Sequence, residues 1–143
     1  MNVILFLHSW VRWLVLLAGL AALIKLVIVL ARRGAFDSMT RGLTSAFAGL
    51  LDLNVLLGLI LIVWKGLAEG NLFDFSNALA RSRWEHLFVM IFALAAAHLP
   101  ARWKSQDDAP RTRKTLLAVM AALLLVVMGV FTLLGNRWGF RGL

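Results

Sequence analysis

Cysteine is absent from the 143 residues. The chain therefore forms no disulfide and offers no thiolate to zinc or to an iron–sulfur cluster. Acidic side chains are scarce, seven against fifteen basic ones. Proline occurs twice, and Pro100 falls at the end of an apolar run, where a helix can stop. No glycine-rich phosphate loop, no His-Glu-x-x-His and no serine nucleophile elbow can be found. Their absence removes P-loop nucleotide chemistry, zinc-dependent hydrolysis of that type and the α/β-hydrolase reaction. Three scattered histidines do not make a zinc site.

What fills the chain is apolar: 62% of it is hydrophobic and the mean hydropathy is +0.86. A water-soluble domain of this size is far less apolar. The net charge of +8 does not point to nucleic acid. The basic residues cluster between apolar runs, where the positive-inside rule and anionic headgroups account for them. The expected partner is a lipid bilayer, and residues 1–143 read as one transmembrane domain.

Four runs reach the roughly 20 residues that a helix needs to cross a bilayer core: about 10–31, 43–65, 84–103 and 115–135. Short connections favour an all-α, up-down four-helix bundle. Only Met1 and Asn2 precede the first apolar residues and neither is basic, so that run reads as a retained span, not a signal peptide. The 32–42 and 102–114 connections carry eight basic and three acidic residues. The positive-inside rule puts them in the cytoplasm, with both termini outside. Trp10, Trp13, Trp64, Trp84 and Trp138 all fall at the opposite, outer ends of the runs. Indoles favour the headgroup level, so they mark that interface and place Arg12 beside it. There arginine costs well below the ~2.5–3.5 kcal/mol of mid-bilayer. Residues 66–83, with Leu72, Phe73, Phe75 and Leu79 among polar neighbours, read as an amphipathic segment on the outer surface.

His8 begins the first run and His86 opens the third, and these two runs point the same way. Both imidazoles are thus expected near the outer face. Imidazole is a good axial ligand for haem iron, and two of them from different helices hold a macrocycle edge-on. On the same helical faces follow Val15 and Gly19 below His8, and Met90, Ala93 and Ala97 below His86. Small residues there give a flat ring room, although they also suit plain helix packing. Arg12, Arg81 and Arg83 are placed to neutralise propionates. His98 falls at the inner end of the third run, as an interfacial histidine. Asp52 lies within the second run, and an intramembrane carboxyl is a functional candidate. Lys25 on the first run is its expected partner, as a structural pair or as part of a proton path.

The stretches "LHSWVRW", "LLDLNVLLGL" and "RSRWEHLFVM" followed by His98 resemble a group of small four-helix bacterial membrane proteins labelled cytochrome b-like. His8, Arg12, Asp52, Glu85, His86 and His98 match that pattern. Leu87 stands where a proline often follows the Glu-His pair. The resemblance covers the first three runs and not the fourth. It implies haem b and a place in a bacterial cytoplasmic membrane. Together these readings predict a multi-pass b-type haem protein in quinol-linked electron transfer, with His8 and His86 as ligands and Arg12 and Arg83 beside the haem. One alternative is a non-catalytic accessory subunit of a larger respiratory or photosynthetic complex, touching lipid, quinone or pigment. Another is a small proton-linked transporter using Asp52, in a homo-oligomer.

Overall fold

The first helix, α1, runs Asn2–Ala31 without a break, because leucine, valine and isoleucine fill it and nothing interrupts its hydrogen-bond ladder. It ends where Arg33 takes a left-handed conformation, φ 50°. Gly34 N–H then donates to Val29 O at 2.9 Å and Arg33 N–H to Leu30 O at 3.3 Å, a Schellman ending. Asp37 opens α2, Ser38–Ala68, by accepting from Thr40 N–H at 2.7 Å. This helix ends in the same way as α1, with Gly70 at φ 66° and Asn71 N–H donating to Gly66 O at 2.9 Å. Asn77 caps α3, Ala78–His98, accepting from the N–H groups of Leu79 and Ala80. A 3₁₀ turn, Leu99–Trp103, follows at Pro100, and α4 spans Asp108–Phe131. The computed structural model describes residues 2–131, and among these there is no strand.

Helices adjacent in sequence pack side by side, and α1 closes against α4. The register is antiparallel. His8 meets Asn54, while Gly19, further along α1, faces Phe47, which is earlier on α2. Val15, Leu26, Phe47, Leu51, Ala93, Val119 and Ala122 are almost wholly enclosed. The outer surface is the reverse of a soluble bundle: Leu14, Leu17, Leu20, Leu56, Phe88, Phe92 and Leu124 are exposed. An apolar surface of that extent calls for a non-aqueous neighbour. All four helices are long and apolar enough to cross a bilayer, over Val3–Ala31, Ser38–Ala68, Ala78–Trp103 and Asp108–Val130.

These helices start five to eight residues before the apolar windows read from the sequence. Hydropathy marks where hydrocarbon would begin, but a helix persists into the headgroup layer because its hydrogen bonds are internal. At 1.5 Å per residue, the 29 residues of Val3–Ala31 extend about 43 Å, beyond a ~30 Å hydrocarbon core. The proposed end of the fourth run at 135, with Arg137, Trp138 and Arg141, lies outside the described residues.

Residues 66–83 are helical at both ends, with a turn between. Helix α2 continues to Ala68 and α3 begins at Ala78, leaving a nine-residue turn between them. That turn folds back onto the bundle. Leu72 packs against Gly66, where any Cβ would lie 2.7 Å from the Leu72 Cα. Trp84 Nε1–H donates to Leu72 O at 2.7 Å, and the Phe73 ring stacks on Trp84 at 5.6 Å. Leu72 and Phe73 make these contacts, while Phe75 and Leu79 stay exposed on the outside of the bundle.

Candidate functional site

His8 and His86 line one cavity. Its wall comes from Leu5 and His8 on α1, Asn54, Gly58 and Lys65 on α2, and Arg83, His86 and Met90 on α3, and it encloses about 110 Å³. Each imidazole is fixed in the same manner. His8 Nδ1 lies 3.0 Å from Asn54 O, and His86 Nδ1 lies 3.1 Å from Gly129 O. A carbonyl oxygen only accepts, so both Nδ1 atoms carry a proton, and in the neutral ring Nε2 keeps the lone pair. This is the outer-shell arrangement that orients a histidine as a metal ligand through Nε2.

Glycines make these contacts geometrically accessible. A Cβ at Gly58 would lie 3.2 Å from His8 Cε1. A Cβ at Gly129 would overlap the Met90 methyl and sit 3.4 Å from His86 Nδ1. Met90 and Ala93 are buried below His86, and Val15 below His8.

Two polar atoms in the wall have no hydrogen-bond partner. Asn54 Oδ1 is one, in a side chain only 7% exposed, and Arg83 Nη1 is the other. Arg83 is anchored through Nη2, which donates to both Glu69 oxygens at 3.0 and 2.8 Å. These bonds, with a smaller contribution from Asn71, hold the Glu69 carboxyl below its ordinary value. Arg83 thus keeps a second donor unused while Glu69 holds it in place, and Lys65 adds a further positive charge to the wall.

The structure gathers His8, His86 and Arg83, as the sequence reading placed them. Arg12 stands apart from them. It is 9% exposed, lies 5.8 Å from the Trp13 ring centroid, and does not line the cavity. It is held inside the bundle because its position falls beside the buried Val11 and Val15 on α1. Asn54, Gly58 and Lys65 were not singled out as site residues. Their signal was the period: Asn54, Gly58 and Lys65 share the face of α2 that meets α1 and α3.

The pairing of Asp52 with Lys25 is corrected. Lys25 Nζ donates to Asp37 Oδ2 at 2.8 Å. That bond and the two from Thr40 hold the Asp37 carboxyl well below the usual range. Asp52 instead meets His98 Nε2, at 2.9 and 3.1 Å from its two oxygens. The antiparallel register of α2 and α3 brings those two together. Lys25 lies near the end of α1, and the short connection to α2 carries Asp37 back within its reach.

The donor set suits haem iron, with two imidazoles, two cations and two glycines beside the rings. The enclosed volume is smaller than the 300–1,000 Å³ of ordinary small-molecule sites, and a macrocycle is larger than the space as it stands. Compared with known proteins, the chain matches no family model, no curated protein and no solved structure.

Proposed function

We propose that this chain is a multi-pass b-type haem protein of a bacterial cytoplasmic membrane, passing single electrons between a quinol and an acceptor on the outer face. Both termini face outward in this reading. The observation that carries it is the pair of imidazoles on one cavity wall, each with Nδ1 committed to a backbone carbonyl. Bound haem supplies a one-electron iron couple. The chain's own residues do the rest. His8 and His86 present Nε2, Asn54 O and Gly129 O fix their tautomer and ring direction, and Arg83 and Lys65 meet carboxylate charge.

The test is the absorption spectrum of protein produced with ample haem, oxidised and then reduced with dithionite. The expected result is a Soret shift and a sharp α band, with His8→Ala and His86→Ala each removing most of the bound haem. A wild-type protein without these bands sinks the proposal.

A second reading is favoured by the cavity volume and by Asn54 Oδ1. In it the chain is an accessory subunit of a larger respiratory complex, and the cavity takes a quinol headgroup. A single ring fits the space better than a macrocycle, and a quinol hydroxyl supplies the donor that Asn54 Oδ1 lacks. Haem bands that survive loss of either histidine, with quinol binding that does not, favour this second reading. The transporter reading leaned on Lys25 beside Asp52, and each of those residues now has a different partner.

A further inference from the structure

A second, larger cavity lies at the other end of the α2–α3 seam. It encloses about 590 Å³, and its wall includes Arg41, Ser45, Asp52, His98, Lys104 and Arg111. The only carboxylate in this wall, Asp52, is already engaged by His98. Arg41, Lys104 and Arg111 form no ion pair with a carboxylate among the described residues.

Arg111 is the unusual member. It is only 9% exposed, and its Nε is buried without a hydrogen-bond partner. Its guanidinium carbon stands 4.0 Å over the ring of Phe36, itself 6% exposed. The ring holds the flat guanidinium in place without satisfying its N–H donors, which lie around the edge. A buried guanidinium with unused donors is costly unless an anion completes it.

We propose that this cavity binds a phosphate-bearing anion. Arg111 grips it by charge-assisted hydrogen bonds, and Arg41 and Lys104 close over it from the exposed side. Phosphate fits because guanidinium matches its oxygens two at a time and because three positive side chains exceed the charge of a single carboxylate ligand. The source is either the headgroup of an anionic lipid or a soluble phosphate compound. This site is separate from the histidine cavity and does not depend on the haem reading.

The experiment uses full-length protein in a neutral detergent, titrated with phosphatidylglycerol, with diacylglycerol as the lipid lacking phosphate, and with inorganic phosphate and pyrophosphate. The expected result is binding of phosphatidylglycerol at least about tenfold tighter than of diacylglycerol, with Arg111→Gln losing about tenfold or more. Arg41→Gln and Lys104→Gln each weaken binding several-fold. These two positions are exposed, so they test the site even where the Arg111 variant fails to fold. Arg32→Gln and Arg113→Gln remove the same charge outside the cavity and change binding by less than about twofold. Tightening by phosphatidylglycerol alone assigns a lipid, and tightening by phosphate or pyrophosphate as well assigns a soluble ligand. The proposal is overturned if no phosphate compound binds, or if the two control variants lose as much as Arg41→Gln.

Discussion

Leu72 rests against Gly66 so closely that a methyl group there would meet its backbone. A flexible side chain can swing away, but a backbone cannot, and Trp84 and Phe73 hold this turn from the other side. Gly66→Ala is therefore expected to destabilise the protein by about 1–3 kcal/mol. The check is the thermal midpoint in detergent micelles, and an unchanged midpoint would show that the turn yields freely. Position 66 could not be picked out from the sequence, since its importance depends on a residue six places on that returns to touch it. His8 and His86 were legible because two parallel runs carrying histidine at the same end leave few other places for the rings. Asn54 O and Gly129 O were not, since main-chain acceptors carry no residue signature.

Helix endings were less legible than helix existence. Both α1 and α2 stop in the same hydrogen-bond pattern, one with Arg33 and one with Gly70 in the left-handed position. Arginine there bears a steric penalty that glycine escapes. Gly70→Ala is expected to lower stability by about 1 kcal/mol, and Arg33→Gly to raise it by roughly 0.5–1 kcal/mol. Unfolding of both variants in mixed micelles checks the pair, and equal signs would refute the assignment. The spacing of charges suggested Lys25 for Asp52 because both lie within apolar runs. What decided the matter was the six-residue connection of α1 to α2, which returns Asp37 to Lys25, and the register of α2 on α3, which sets Asp52 opposite His98. Register between helices is a three-dimensional quantity, and hydropathy does not contain it.

At the scale of the whole molecule, apolar length and charge distribution made the four-helix architecture legible, and the exposed leucines and phenylalanines around the bundle agree with a lipid neighbour. The proposed orientation is testable because the chain has no thiol of its own. Ser76→Cys lies in the α2–α3 turn and Ser105→Cys in the α3–α4 connection. A membrane-impermeant maleimide applied to intact cells is expected to label the first and to reach the second only after permeabilisation. The reverse pattern would invert the topology. Within the bundle the imidazole pair is far from central. His8 is about 9 Å from the start of α1 and about 35 Å from its end. If the proposed haem is held there, its electron lies close to partners on one face and far from those on the other, with most of the length of α1 between. His98, further along α3, is committed to Asp52 and offers no obvious relay. On the proposed haem reading, the chain alone would be a one-sided electrical contact, not a wire from one compartment to the other.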